Sequence, residues 1–182
     1  MRTRDADGTR KRILAAATED FAEHGIAGAR VDRIAARAEV AKAQIYAYYG
    51  DKLALFRAVF NQNAAVLVEA TPFTPDDLPG YAVGLYNGTM DRPDLIRLLT
   101  WARLEGVPPN LDDDAWQEKL DQVAAAQTAG VVTPDISPAN ILAMLAGVAL
   151  SWSAVAPMAL PPSAHDEHRA ALRLVIERSF HA

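Results

Sequence analysis

Apolar side chains recur every three or four positions along most of this 182-residue chain. Near the N-terminus, for example, such a stripe is formed by Ile13, Leu14, Ala17 and Phe21. This spacing lines one face of an α-helix with residues that enter a core. Val, Ile and Thr do not gather into the alternating runs that are typical of strands. The periodicity therefore predicts an all-α protein.

Proline and glycine residues divide this pattern into helical segments. Helices are predicted over 9–25 with Thr9 as N-cap, 32–38, 41–49, 51–70, 80–89, 93–105, 112–129, 137–157 and 164–181. The proline-rich stretch 71–80 is the clearest break. We predict a head of four helices and a body of five, with the domain boundary at residue 52 and a connecting helix over about 51–70.

Charge is unevenly divided between these parts, although the whole chain has a net charge of −5. Residues 1–52 contain ten Lys and Arg against eight Asp and Glu (net +2), and residues 53–182 contain eight against fifteen (net −7). A basic head on an acidic body favours a nucleic-acid partner for the head. The absence of cysteine excludes disulfides and thiolate metal sites. The first twelve residues contain no apolar signal segment, so the cytoplasm is the expected compartment.

One apolar segment raises the alternative of a membrane span. No charged residue occurs between Ile136 and Ala164, and residues 141–160 are numerous enough to cross a bilayer. The segment is rich in alanine, however, and no Lys or Arg cluster flanks it. We therefore expect no membrane insertion. A helix that is apolar all round would instead lie between its own core and a partner subunit.

Residues 34–45, IAARAEVAKAQI, fit the pattern of a helix-turn-helix unit. Ala35 stands where the two helices would cross closely, and Val40 and Ile45 would pack between them. The second helix of such a unit enters the major groove of DNA and contacts base edges. Ile45 and Tyr49 are one helical turn apart and define its inward face.

The opposite face of this second helix has the side chains that we expect to contact bases. Ala43 and Ala47 are small enough to let the backbone approach the bases and to touch thymine methyl groups. Gln44 is expected to pair with adenine, and Lys42 to donate to guanine or to a phosphate.

Other residues are expected to contact the DNA backbone. Tyr46 and Tyr48 diverge from the base-contacting face, and their hydroxyls are predicted to bond to phosphates. Lys52 lies in the first turn of the next helix, where N–H groups and the helix dipole already favour an anion. Basic residues 10–12 crowd another predicted helix start, and a solvated basic arm is the alternative interpretation for them.

These features resemble the DNA-binding domain of the tetracycline-repressor-like (TetR) family. The matching residues, in order and spacing, are Ile45, Tyr46, Tyr48, Tyr49, Lys52, Leu55 and Phe56. The resemblance covers about residues 9–60. It implies a three-helix, helix-turn-helix DNA-binding head, followed by a C-terminal helical bundle that binds a small-molecule effector and dimerises.

Three positions depart from the family's pattern. Glu39 stands where a turn glycine is usual, and a left-handed conformation would cost glutamate about 1 kcal/mol. Ala41 replaces the usual Ser or Thr before the recognition helix, so a side-chain N-cap is predicted to be missing. Arg30 stands where a threonine often begins the second helix, and we include it among the candidate DNA contacts.

Residues 53–182 are interpreted as the effector-binding and dimerisation domain. Aromatic and Met residues between bundle helices suit an apolar pocket, although an ordinary core is the alternative for each of them. The candidate pocket residues are Tyr86, Met90, Trp101 and Met144. Stripes on the last two helices are predicted to form a four-helix dimer interface. Its candidate residues are Leu145, Val148, Trp152, Leu172, Val175 and Ile176.

The sequence gives little support for a metal site or a catalytic site. His165 and His168 have a spacing that suits a metal, but an exposed helix start is the favoured interpretation. No catalytic constellation or glycine-rich phosphate loop stands out, so neither an enzyme, a metal nor a cofactor is predicted. The hypothesis is a homodimeric, ligand-responsive repressor of a palindromic double-stranded DNA operator, with an unknown small-molecule effector whose influence passes through helix 51–70. The alternative is a helical small-molecule-binding protein with a vestigial head that does not bind DNA.

Overall fold

The computed structural model describes residues 2–107, 113–153 and 161–182. These residues form α-helices, two short 3-10 turns and one isolated bridge between Val132 and His181, which confirms the all-α prediction. The helices are α1 Arg2–Gly28, α2 Val31–Ala38, α3 Lys42–Tyr49, α4 Lys52–Ala70, α5 Leu78–Asp91, α6 Pro93–Leu104, α7 Asp113–Thr128, α8 Pro138–Ala149 and α9 His165–Phe180.

Two helix ends differ from the prediction. α1 begins at Arg2, so Thr9 is a buried interior residue and its predicted role as N-cap is wrong. Gly8 suggested a break, yet a glycine inside a helix costs only about 1 kcal/mol. α8 ends at Ala149, and the rest of the predicted 137–157 helix includes residues 154–157, which lie outside the described part. No helix in the described ranges is both long and apolar enough to cross a membrane.

The chain packs into two compact units. One consists of the described parts of Met1–Ala65 and Asp94–Asn110, and the other of those of Val66–Pro93 and Leu111–Ala182. This division differs from a boundary at residue 52, because α4 up to Ala65 and all but the first residue of α6 pack with the N-terminal helices. The chain crosses between the units within α4 and again between Pro93 and Asp94, at the start of α6, and it returns to the second unit after α6. Helix 51–70, through which the influence of an effector is expected to pass, is therefore one of several connections between the units.

The core of the first unit is built from the predicted stripes. Ile13 and Phe21 of α1 are fully buried, as are Ile34 of α2 and Phe56 of α4. The rings of Phe21 and Phe56 meet edge to face, with centroids 5.3 Å apart. Burial of each such side chain contributes about 1.5–3 kcal/mol. This core fixes α1, α2 and α4 as the support on which α3 is mounted.

In the second unit, α5 packs along α8 and α9, and α7 packs on α8. The larger core cluster consists of Leu78, Ala82, Val123, Ala126, Val132, Ile141, Leu142, Leu145, Ile176 and Phe180. A smaller cluster surrounds Tyr86, whose side chain is fully buried.

Candidate nucleic-acid interface

α3 exposes most of its surface. Ile45 is its buried residue, with 1% of its surface accessible. The exposed residues are Lys42, Ala43, Gln44, Tyr46 and Ala47. Tyr48 and Tyr49 are half-buried, and the hydroxyl of Tyr49 is enclosed. The helix therefore displays its polar and small side chains, as the sequence pattern predicts.

The turn before α3 has the two departures that the sequence indicated. Glu39 adopts the left-handed conformation, with φ 55° and ψ 47°. Its N–H donates to Ala36 O at 3.3 Å, and the Val40 N–H donates to Ala35 O at 3.0 Å. Ala41 occupies the N-cap position of α3 without a side-chain hydrogen bond. The turn is thus formed by backbone bonds, at a cost of about 1 kcal/mol for the glutamate.

α2 is tied to α1 by a buried carboxylate. Asp20 has no accessible surface, and its side chain accepts hydrogen bonds from the Arg33 guanidinium and, at 3.0 Å, from the Arg30 N–H. Burial alone would raise the pKa of the Asp20 carboxyl, but these hydrogen bonds and the Arg33 charge bring it below its ordinary value. Arg30 therefore holds the start of α2 through its backbone, while its side chain is exposed.

Lys52, a predicted phosphate contact, has hydrogen-bond partners within the first unit. The Lys52 ammonium donates to Ala27 O at 3.1 Å and to Ala29 O at 3.2 Å. An ammonium has three N–H donors, so one remains for a phosphate. Lys52 as a DNA contact stays a prediction.

The basic residues 10–12 do not surround a helix start, because α1 begins at Arg2. The guanidinium of Arg10 lies 5.2 Å from the centre of the Tyr48 ring. Arg12 Nε donates to Ala38 O at 3.2 Å, at the end of α2. Arg10 and Arg12 therefore support the helix-turn-helix from within, and the Tyr48 ring is partly covered.

Lys42 forms a surface ion pair with Asp32, with Nζ 2.9 Å from a carboxylate oxygen. The hydrogen bond to Asp32 raises the pKa of the Lys42 amine. Exposed pairs of this kind contribute only about 0.2–1 kcal/mol, so DNA can displace Asp32 at little cost.

The four candidate effector residues do not come together. Tyr86 and Met90 share the smaller cluster of the second unit with Val148 and Trp152. Met144 is 47% exposed. Trp101 belongs to the first unit, where its indole N–H donates to Ala22 O of α1 at 3.2 Å. Trp101 was a candidate as an aromatic residue of the body, and the sequence alone does not show that α6 packs on α1.

A cavity of about 100 Å³ in the second unit has a different lining. It is lined by residues 75–79 and 131–132 and by Ile176, Glu177, Phe180 and His181. Its volume is well below the 300–1,000 Å³ or so of typical ligand pockets. The four candidates are not part of its lining.

His165 and His168 are half-buried instead of marking an exposed helix start. His165 Nδ1 is hydrogen-bonded to the Tyr86 hydroxyl, and burial raises the pKa of that phenol. The His168 ring stacks on Trp152 at 4.2 Å. No group of three or more potential metal ligands occurs in the described part of the chain.

Most candidate dimer residues belong to the protomer's own core. Leu145, Leu172 and Ile176 have 0–1% of their surface accessible, and they cannot face a partner. Val148 and Trp152 are half-buried against the Tyr86 cluster. Val175, 48% exposed, remains on the surface. The apolar stripes of the last two helices therefore pack mainly into the protomer's own core.

Comparison with known proteins decides the family. Residues 13–59 match the model for bacterial regulatory proteins of the tetR family, and residues 77–178 match the tetracyclin repressor-like C-terminal domain. The chain belongs to the tetracycline-repressor-like family. It is 39% identical to the HTH-type transcriptional repressor SCO4008 of Streptomyces coelicolor over 162 residues, which cover 86% of this chain and 84% of that protein.

This TetR-family chain is also similar to another curated regulator and to a solved structure. It is 29% identical to the HTH-type transcriptional regulator RutR of Escherichia coli K12 over 156 residues, 79% of this chain and 73% of that protein. The crystal structure of transcriptional regulator SCO4942 from Streptomyces coelicolor superposes with a TM-score of 0.83 at 43% identity, covering 94% and 98% of the two chains. The chain is therefore a DNA-binding transcriptional regulator and not an enzyme. A vestigial head is the less supported alternative.

Sequence reasoning overlooked two residues that shape this TetR-family head. Asp20 carried a signal, because it falls seven positions after Ile13 and three after Ala17, on the buried stripe of α1. A charged residue on that face needs a partner. Glu105, whose carboxylate accepts two backbone hydrogen bonds from α1, had no local signal.

Proposed function

We propose that this regulator is a cytoplasmic repressor that binds a palindromic operator as a homodimer and leaves it when a small molecule binds to the second unit. The exposed face of α3 carries the DNA-binding part of this proposal. A helix that buries only Ile45, and displays small and hydrogen-bonding residues, is suited to the major groove.

Within that groove, Gln44 pairs with adenine, and Ala43 and Ala47 lie against thymine methyl groups. Lys42 exchanges Asp32 for guanine or a phosphate. The exposed hydroxyl of Tyr46, with Lys52 and the Arg30 side chain, contacts the DNA backbone. Tyr48 contributes less than Tyr46, because its ring also lies beneath Arg10.

Selection of genomic fragments by the wild-type protein, followed by binding measurements across salt concentrations, tests the DNA contacts. Tyr46→Phe should weaken binding to specific and non-specific duplexes alike. Gln44→Ala should relax base preference at one position of each half-site by about 1–3 kcal/mol. Gln62→Ala, on the exposed surface of α4, is the matched control and should leave the preference unchanged. Unaltered preference in Gln44→Ala would remove α3 as the base-reading helix.

The dimer part of the proposal rests on the exposed apolar residues of α8 and α9. Met144, Leu174 and Val175 are 47%, 50% and 48% exposed on two helices that pack together. We place them in the subunit interface, in place of the buried stripe. Leu174→Asp should give monomers in analytical ultracentrifugation. Leu104→Asp, in the first unit and 72% exposed, should remain dimeric.

The effector part of the proposal rests on the surroundings of Tyr86. His168 Nε2 and Ser153 Oγ are buried, and the described residues provide no hydrogen-bond partner for either atom. A ligand with polar groups would satisfy them, while Trp152 supplies an aromatic face. A compound that raises Tm and releases DNA from the wild type should do neither in His168→Phe. His181→Phe, at the exposed C-terminal end, should respond as the wild type does.

A further inference from the structure

The connection between α1 and α2 contains a separate helical turn. Gly25 has φ 74°, which interrupts α1. The Ala29 N–H then donates to Gly25 O at 3.1 Å, so residues 26–29 form one turn after the interruption. Such a turn has unpaired N–H groups at its start and unpaired carbonyls at its end.

A carboxylate from the end of α6 binds the start of this turn. The two oxygens of Glu105 accept hydrogen bonds from the Ile26 and Ala27 N–H groups, each at 2.8 Å. A negative charge at the N-terminal end of a turn also complements its dipole. Glu105 thus acts as a cap that comes from a residue far away in sequence.

An ammonium from α4 binds the other end. Lys52 donates to the carbonyls of Ala27 and Ala29. The N–H of Ala27 therefore contacts Glu105 while its carbonyl contacts Lys52. A single backbone turn links the carboxylate to a residue that we propose as a DNA contact.

The position of Glu105 is itself fixed. Arg97, Trp101 and Glu105 follow one another at four-residue intervals on one face. Arg97 Nε donates to Ala22 O at 2.9 Å, and the Trp101 indole N–H donates to the same oxygen. These bonds hold α6 on α1 and deliver the carboxylate to the turn.

We propose that Glu105 is a positioning residue for DNA binding. It holds residues 26–29 in the conformation in which Lys52 and the neighbouring Arg30 face the DNA backbone. This inference rests on the proposed roles of Lys52 and Arg30. Glu105 sets operator affinity without touching DNA, and its effect is transmitted through Lys52.

A double-mutant cycle tests this coupling, with a labelled duplex that carries the site recovered by the wild-type protein. Glu105→Gln should weaken binding by about fivefold or more when Lys52 is present, and by less than about twofold in the Lys52→Met background. Glu69→Gln makes the same charge change at an exposed α4 position and should stay within about twofold of the wild type. Equal effects in both backgrounds, or no effect of Glu105→Gln, overturn the proposal.

Amide hydrogen exchange in the free protein provides a second readout. The Ile26 and Ala27 amides should exchange faster in Glu105→Gln and in Glu105→Asp, while the Arg30 amide, bound to Asp20, should keep its rate. Unchanged rates at both amides overturn the proposal. Wild-type protein that recovers no genomic fragment would instead refute the proposed function. If the wild-type protein recovers genomic fragments but the effects of Glu105→Gln and Lys52→Met are additive, only the proposed role of Glu105 is refuted.

Discussion

α2 and α3 have the same length, eight residues each, but they are held in opposite ways. α2 buries four side chains, Val31, Ile34, Ala35 and Ala38, whereas α3 buries Ile45. α2 is also bound by the Asp20–Arg33 pair and by the bond from Arg12 to its last carbonyl. α3 begins at Ala41 without a side-chain cap.

This difference in burial assigns the two helices different roles: α2 stabilises the fold, and α3 is the helix that we propose to contact DNA. Contacts on α2 contribute to the free energy of unfolding, and they leave few of its side chains available to DNA. α3 buries one side chain and leaves exposed the groups that we propose to contact bases. Substitutions at α2 and its partners should therefore change stability, whereas most exposed positions of α3 should change only DNA binding. Ile45 is the expected exception.

Ile45→Ala should have the largest effect, because Ile45 is the buried anchor of α3. The free energy of unfolding should fall by about 2–4 kcal/mol, measured by urea denaturation. Val68→Ala, at a position 55% exposed, should cost less than about 0.5 kcal/mol. A loss for Ile45→Ala as small as that of the control would mean that α3 is held by something other than its one buried side chain.

Asp20→Asn should follow, with a loss of about 2 kcal/mol, because the buried carboxylate would no longer balance Arg33. The folded pKa of Asp20 lies below its ordinary value of 3.8, so its contribution is complete above that value and disappears as pH falls through the folded pKa. The difference between wild type and variant should therefore shrink below about pH 4.

Asp32→Asn is the control for the Asp20 measurement, because the Asp32 side chain is 74% exposed in its pair with Lys42. It should cost less than about 0.5 kcal/mol and change the pH profile little. If Asp20→Asn kept the wild-type pH profile, the buried ion pair would not be what fastens α2 to α1.

Glu39→Gly should stabilise the protein by about 1 kcal/mol, because glycine adopts the left-handed conformation without strain. Thermal unfolding would detect it as a rise in Tm. Glu23→Gly, inside α1, is the reverse control and should lower Tm by a similar amount. A destabilised Glu39→Gly would show that the glutamate side chain contributes more to the turn than its backbone conformation costs.

Ala41→Ser should give the smallest gain, about 0.5–1 kcal/mol, since serine can accept a hydrogen bond from the first turn of α3. Ala36→Ser, exposed within α2, should instead lose a few tenths of a kcal/mol. Equal responses at the two positions would mean that the start of α3 is not limited by its missing cap. Base preference should be unchanged in both variants.

The helix-turn-helix could be predicted in detail because its determinants are local. Ile45 as the inward residue follows from helical spacing, whereas the turn position of Glu39 and the cap position of Ala41 follow from the resemblance to the TetR pattern over the same short segment. The propensities and steric limits of short segments act over that same distance.

The pocket, the dimer interface and the packing of the helices depend on which surfaces meet, and short segments of sequence do not determine those contacts. Trp101 lies on one helical face with Arg97 and Glu105, and only the packing of that face on α1 shows that it belongs to the first unit. Leu145 and Leu172 have the same pattern whether they face a core or a partner. Lys52 was correctly placed at a helix start, but its carbonyl partners come from a segment distant in sequence.

Gly25 has a consequence for how this sequence can change over time. A Cβ atom added there would lie 2.6 Å from Glu105 Oε1 and 2.8 Å from Trp101 Cε3, on a backbone with positive φ. A replacement would need both neighbours to move or be shortened, and it would still strain the backbone. The order in which mutations arise thus restricts the accessible evolutionary routes at position 25, and descendants that retain Trp101 and Glu105 should retain the glycine.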